Sequence, residues 1–389
     1  MNLMQHKLAI VTTHPIQYYA PLFRLLHKQG IVAIKVFYTY EKVEQVFDDG
    51  FGKSFSWDIP LLDGYEYSFV SNKGNTNKGF WDVTNPTLNK EIQQWGATVV
   101  LVFGWNFKSH LSALRYFKGK IPVLFRGDST LLDEVGGVKK ILRRALLSWV
   151  YKHIDTALYV GNANKEYYQF CGLKEHQLVF APHAIDNERF AQLTTTQTTF
   201  IEETQTGLGI TASDTTLVFC GKFQPKKNPL LLVEAVKKMA NPTIHLIMVG
   251  NGELETTLKE AAKSCNNIHF LPFQNQSLMP AVYRLGDIFC LPSQGPGETW
   301  GLAVNEAMAC SRAVLVSNKC GCATNLVQDG VNGYVFESGN EAQLIETIEN
   351  LHNKKNQLPT MGKASYIAIQ DWSFENIAKT IYTVCQKKG

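Results

Sequence analysis

Residues 288–309 read IFCLPSQGPGETWGLAVNEAMA. An apolar run at 288–291 meets a glycine- and proline-rich turn at 292–297, then a helical stretch at 302–309. Short apolar runs bounded by turn residues suit strands buried on both faces, so the segment predicts strand, loop and helix in succession. Glycines let backbone N–H groups approach an anion closely, and a helix opening near Gly301 adds its dipole. Glu298 stands in the loop and Glu306 one to two turns into the helix. A carboxylate accepts two hydrogen bonds and therefore suits a vicinal diol, such as a ribose or hexose edge. A lone glutamate on a helix is ordinarily a surface charge; the glycine loop beside it argues otherwise.

The same cadence extends in both directions. Strand-like runs at 216–220, 244–249, 268–271 and 313–316 alternate with helical ones at 229–240, 254–264 and 278–285. Upstream, runs at 8–13, 31–40, 99–104, 122–125, 157–160 and 178–181 follow the same pattern, with an amphipathic helix near 18–29. From residue 191 a threonine- and glutamine-rich stretch breaks it and reads as a linker reaching about residue 214. The expected fold class is α/β, two doubly wound Rossmann-like halves, with ligands at the carboxyl ends of the strands. No short repeat of solenoid type is present.

Composition bounds the reading without deciding it. A chain of 389 residues favours two domains, and 45% apolar with 19% charged residues is globular. A net charge of +4 fits anionic small ligands or a membrane surface as well as nucleic acid. Of the eight cysteines only Cys320 and Cys322 form a close pair, and no histidine or second pair completes a zinc set. Reduced, buried thiols of a cytosolic protein are the ordinary reading. Residues 1–13 lack a secretory signal, and no apolar stretch approaches the ~18 residues that span a bilayer. The expectation is a cytoplasmic protein, soluble or peripheral on the inner face of the membrane. The stretch 136–151 sets Lys139, Lys140, Arg143 and Arg144 among Ile141, Leu142, Leu146, Trp149 and Val150. At helical period this is a basic amphipathic helix that could rest on an anionic bilayer, or a helix burying its apolar side.

A second signal lies at 219–229, FCGKFQPKKNP. A strand ends at Gly221, cations follow at Lys222 and Lys227, and a helix starts near Pro229, a favoured first-turn residue. Cations at a strand's carboxyl end beside a helix N-terminus suit a phosphate, although lysine runs commonly just face water.

Together these segments resemble the donor-binding half of glycosyltransferase family 4, a retaining group with the GT-B fold. In that fold two Rossmann-like domains face each other across a cleft. Lys222 takes the place of the family's arginine, Lys227 matches the lysine five positions on, and Glu298 and Glu306 keep seven residues between them. Gly301-Leu302 follows as in the family, and the likeness continues through 249–252, 281–293, 330–336 and Asp371-Trp372-Ser373-Phe374. There are departures. Lys222 keeps the charge but loses an arginine's bidentate geometry. Thr299-Trp300 replaces the usual Gly-Phe and would reshape the sugar pocket. Arg126-Gly127-Asp128 stands where many members carry a histidine, and Thr13-His14-Pro15 where many have a glycine-rich turn. The segment 181–186 with Phe190 resembles the family's domain junction. It implies domains 1–188 and 189–372, with a last helix at 373–389 crossing back.

The resemblance implies a retaining hexosyltransferase that uses a nucleotide-diphosphate sugar, UDP rather than GDP. The acceptor would be a glycan, a lipid-linked or another acceptor in cell-surface polysaccharide or glycoconjugate synthesis. It implies no cofactor, no metal and no nucleic acid partner; an Asp-x-Asp strand end is missing from the donor half. Donor-side residues would be Gly221, Lys222, Lys227, Gly250, Phe273, Glu298, Thr299, Trp300, Gly301, Leu302 and Glu306. Glu298 would meet the transferred sugar, Glu306 the ribose, and Lys222 and Lys227 the diphosphate. Arg126 and His14 complete the catalytic set, and His14, Gln17, Trp105, Arg126 and Asp128 form the acceptor side. A GT-B sugar-nucleotide epimerase and a non-catalytic nucleotide-sugar-binding module share these features.

Overall fold

The computed structural model describes residues 6–40, 46–48, 53–74, 79–134 and 136–388. Residue 389, which ends the expected last helix, and the side chain of Lys139 lie outside that description. The chain forms two compact units: Met1–Glu44, Pro60–His183 and Phe374–Gly389 in the first, Gln45–Ile59 and Ala184–Ser373 in the second.

The strands before residue 184 are β1 (Lys7–Thr12), β2 (Ala33–Tyr38), β3 (Val46–Asp48), β4 (Lys53–Phe55), β5 (Tyr67–Phe69), β6 (Val99–Phe103), β7 (Val123–Arg126), β8 (Thr156–Tyr159) and β9 (Leu178–Phe180). Seven of them make the parallel sheet of the first unit, in the order β5-β2-β1-β6-β7-β8-β9. The second unit holds β10 (Thr215–Cys220), β11 (Ile244–Val249), β12 (Ile268–Leu271), β13 (Ile288–Leu291), β14 (Ala313–Ser317) and β15 (Gly333–Phe336). They form a parallel sheet ordered β12-β11-β10-β13-β14-β15. β10, β11, β13 and β14 are buried along their whole length, which is why they read as largely apolar runs, with Thr215, Thr216, His245 and Ser317 as their polar members. Leu217 of β10 pairs with Leu246 of β11 on one side and Ile288 of β13 on the other. The order of strands reverses there, the position at which doubly wound sheets bind ligands. In the first unit the same reversal falls between β1 and β6.

Two expectations need correction. The polar stretch after residue 191 is not an open linker: Thr195–Gly207 is a helix. Thr194 accepts from the Gln197 backbone N–H at 3.3 Å, and Gln197 returns to the Thr194 N–H at 2.9 Å, a capping box that satisfies the helix start without apolar residues. Gln197 Nε2 and Gln205 Nε2 then donate to the Ser277 and Leu285 carbonyls, so amide contacts replace an apolar face. The division between units falls after His183, not near 188. Asn187 donates to the Ile369 and Trp372 carbonyls, and Arg189 holds Gln276 through both Nη atoms, which ties 187–190 to the second unit. The strand pair β3–β4, which no periodicity announced, also belongs to that unit.

The last helix, Phe374–Lys388, packs in the first unit. Tyr382 donates to the Leu26 carbonyl at 3.4 Å and Thr380 to the Phe180 carbonyl at 3.0 Å. No helix among the described residues is long and apolar enough to cross a membrane.

Candidate active site

The donor-side residues all belong to the second unit, at or after the carboxyl ends of β10, β11, β12 and β13. β10 delivers Gly221 and Lys222, and a short 3₁₀ turn, Pro225–Lys227, presents Lys227. β13 delivers the loop 292–301. Lys227 Nζ lies 2.6 Å from Glu298 Oε2, and Ser293 Oγ donates to the same oxygen at 3.0 Å. Both charged side chains are largely buried, at 16% and 7% exposure, so the pair is shielded from solvent and ions. Gln294 fastens the two loops further: its N–H donates to the Lys226 carbonyl at 2.9 Å and its Nε2 to the Pro225 carbonyl at 2.8 Å.

Gly301 opens the helix Leu302–Ala309 at φ 95°, a left-handed conformation that a side chain would resist. Glu306 points into the unit from this helix and is 3% exposed. The Tyr283 hydroxyl donates to its Oε2 at 2.5 Å. Gly250, at the end of β11, faces β10 so closely that a Cβ there would lie 2.0 Å from the Gly221 carbonyl oxygen. The two strand ends can touch only without that side chain. Phe273 follows β12, with its N–H donating to Asn251 Oδ1 at 3.1 Å. A cavity of about 230 Å³ lined by Phe223, Gly250, Asn251, Phe270 and Leu271 opens at these strand ends.

Trp300 does not stand in a pocket wall. It is 3% exposed, its indole N–H donates to Asn305 at 2.8 Å, and its ring packs on Trp372 at 5.0 Å between centroids. Trp300 thus anchors the loop, and Thr299 beside it is half-buried. The segment 317–322 braces the loop from behind. Gly321 N–H donates to the Glu298 carbonyl at 3.2 Å, Cys322 N–H to the Trp300 carbonyl at 3.0 Å, and Ser317 Oγ to the Ser293 carbonyl. Burial pushes the Cys320 thiol up to about 12 and Cys322 well above its ordinary value, so both are packing groups and not thiolates. All eight cysteines are free thiols, and seven are buried.

The acceptor-side set collects at the carboxyl ends of β1, β6 and β7 in the first unit. His14 stacks on Tyr40 at 5.4 Å, with Nδ1 2.9 Å from Thr13 Oγ1. Gln17 lies in the turn before the helix Ala20–Gln29, and Trp105 packs partly against the core. Arg126 departs from its expected role. It is 2% exposed, and its Nη1 and Nη2 donate to the Ala181 and Pro182 carbonyls at 2.9 and 2.7 Å. Burial lowers its pKa, with Tyr19, Tyr168 and Asp128 opposing that shift. It braces the segment before residue 184 and does not reach outward. Asp128 stands 3.9 Å from His183 Nε2, and burial lowers the His183 pKa against that carboxylate's pull.

Sequence reading missed Ser293, Tyr283, Asn305 and 317–322. Ser293 lay inside the quoted loop, and its position five residues before Glu298 was the available signal. Tyr283 lay within the 281–293 likeness but was given no role, and 317–322 carries no motif. Among the described residues no group of three or more histidine, cysteine, aspartate or glutamate side chains could hold a metal ion.

Residues 200–367 match the model of the family described as glycosyl transferases group 1. The chain is 28% identical over 180 residues to a D-inositol 3-phosphate glycosyltransferase of Segniliparus rotundus, covering 44% of this chain and 39% of that one. It is 29% identical over 185 residues to a lipopolysaccharide 1,2-N-acetylglucosaminetransferase of Salmonella typhimurium, covering 44% and 48%. The chain thus spans less than half the length of these curated relatives. Solved structures align along nearly the whole chain. HepE of Anabaena, in complex with UDP and glucose, gives a TM-score of 0.72 at 16% identity, covering 98% of this chain and 100% of that one. A glycosyltransferase of Rickettsia africae gives 0.74 at 14% identity, covering 99% and 100%. At such identities the likeness speaks to the fold, which is GT-B.

Proposed function

We propose that this chain, with its glycosyl transferases group 1 segment at 200–367 as donor domain, is a glycosyltransferase that takes a hexose from a nucleotide-diphosphate sugar with retention. The observation that carries the proposal is the shielded Lys227–Glu298 pair beside the Gly301 helix start. As the glycosidic bond to the diphosphate breaks, positive charge grows on the sugar ring and negative charge on the leaving phosphate. Lys222, Lys227 and the N–H groups after Gly301 supply fixed positive potential for the phosphate. Glu298, held by Ser293 and Lys227, is assigned to the hydroxyls of the transferred sugar. Glu306, oriented by Tyr283, is assigned to the ribose edge. With two lysines and a helix start at the diphosphate, the reaction is proposed to run without a metal or cofactor.

A uracil base is favoured because HepE was solved with UDP, with UDP-glucose, and with UDP and glucose. The acceptor is assigned to the first unit, where His14, Gln17, Trp105 and Asp128 stand at the strand ends. The names of the relatives favour a glycan or lipid-linked acceptor in cell-envelope synthesis, and a cytoplasmic location is proposed with it. Incubation with UDP-glucose or UDP-N-acetylglucosamine in the absence of acceptor tests the reading against an epimerase. Slow release of UDP with unchanged sugar configuration supports the transferase; an epimerised nucleotide sugar overturns it.

A further inference from the structure

The helix Val138–Tyr151 is built inside out. Leu147, Val150 and Tyr151 face the core of the first unit, as its period requires. Its solvent side is apolar as well: Val138, Ile141, Leu142, Leu146 and Trp149 are 73%, 69%, 66%, 52% and 37% exposed. Those positions are spaced three, one, four and three residues apart, the repeat of a single helical stripe. Of the twelve large apolar side chains exposed among the described residues, these are five. Isolated exposed apolar residues are ordinary, but a continuous stripe on one short helix marks a contact surface.

Cations frame the stripe. Arg115 lies over the Trp149 ring at 5.4 Å and Lys152 at 5.9 Å from its centroid. Lys140 and Arg144 lie over the Phe170 ring at 5.3 and 5.1 Å, and Arg144 Nε is held by the Phe170 carbonyl. Arg143 pairs with Glu134. A protein partner would match such a patch with acidic and apolar groups in one fixed pattern. A bilayer with anionic headgroups offers both chemistries over any area, and a tryptophan beside cations suits the headgroup boundary.

We propose that the helix Val138–Tyr151 docks the protein on an anionic phospholipid bilayer, lying in the interface plane with Ile141, Leu142, Leu146 and Trp149 inserted. Lys140, Arg144, Arg115 and Lys152 then meet lipid phosphates. The proposal stands apart from the donor chemistry, because vesicle binding is read without donor or acceptor.

The test is cosedimentation of the full chain with sucrose-loaded vesicles of phosphatidylcholine alone or of equal parts phosphatidylcholine and phosphatidylglycerol. Two double variants accompany it: Ile141→Ser with Leu142→Ser, and Lys140→Ala with Lys152→Ala. Ile141, Leu142 and Lys152 are exposed and Lys140 is half-buried over Phe170, and circular dichroism checks that each variant folds. Wild type is expected to bind the mixed vesicles at least roughly tenfold more tightly than phosphatidylcholine, and each double variant to lose about that factor. Binding by the variants equal to wild type, or no wild-type binding to mixed vesicles, overturns the proposal. So does a wild-type dimer in solution that Ile141→Ser with Leu142→Ser converts to monomer, since the stripe then meets a second copy.

Discussion

Lys227 Nζ and Glu298 Oε2 meet 2.6 Å apart, joining the loop after β10 to the loop after β13. The contact spans the point where the strand order reverses, and Ser293 holds the same carboxylate oxygen. A cation fixed in this way is in place before charge develops, so little reorganisation is needed during reaction.

Removing either lysine therefore lowers kcat/KM. Lys222→Ala and Lys227→Ala are each expected to reduce it by roughly 10²-fold, read from steady-state kinetics with a nucleotide-sugar donor. Lys227→Ala also leaves a buried carboxylate without its countercharge, which costs on the order of 3 kcal/mol in denaturant unfolding. Adding Glu298→Gln to that variant recovers part of the loss, because no stranded charge remains. Unchanged stability in Lys227→Ala would mean that the pair does not form in solution.

Glu306 and Tyr283 should behave as one unit. The Tyr283 hydroxyl donates to Glu306 Oε2 at 2.5 Å, and both residues are buried. The ribose edge assigned to Glu306 does not change charge during reaction, so its contact is uniform between ground and transition states. Glu306→Gln and Tyr283→Phe are expected to weaken donor binding in calorimetry with little change in kcat. Glu298→Gln, beside the reacting sugar, is expected to lower kcat as well. Should Glu306→Gln bind donor as tightly as wild type, the ribose assignment fails.

The parallel sheets were legible because strands buried on both faces leave continuous apolar runs, as at Val99–Phe103 and Ile288–Leu291. The candidate donor-side residues stand out in the sequence because local spacing carries them, Lys222 to Lys227 and Glu298 to Glu306. What escaped was set by contacts between distant segments. Thr195–Gly207 looks like a linker because its packing uses glutamine amides instead of an apolar stripe. Arg126 looks catalytic by position, yet its guanidinium is taken up by the Ala181 and Pro182 carbonyls, which no local pattern announces. Trp300 looks like a pocket residue until Asn305 and Trp372 are seen to hold it.

Stability is expected to fall on the acid side through His110. Burial lowers its pKa from 6.5 to about 4, against the Phe103 and Gly104 carbonyls that favour the charged form. Its Nδ1 lies 2.9 Å from the Phe103 carbonyl and its Nε2 3.0 Å from Thr39 Oγ1, which suits the neutral ring. The unfolded chain takes up the proton first. Stability from this group is therefore full above about pH 6.5 and declines as pH falls toward 4, by roughly 2 kcal/mol at pH 5. Denaturant unfolding of wild type and His110→Gln at pH 7 and 5 checks this. The variant should lose about 2 kcal/mol less between the two; an equal loss in both would contradict it.

Chelation is expected to leave transfer intact, because Lys222, Lys227 and the helix amides are proposed to do what a divalent ion does elsewhere. Activity abolished by EDTA and restored by magnesium or manganese would show that the lysines do not suffice.

The most direct test is nucleoside diphosphate release from a panel of UDP-, GDP- and ADP-sugars by wild type and Lys227→Ala. Wild type is expected to turn over at least one donor, a UDP-sugar first, with release reduced roughly 10²-fold in Lys227→Ala. A panel in which no donor is turned over, or in which Lys227→Ala matches wild type, would contradict the assignment of the Lys227–Glu298 crevice as the donor site.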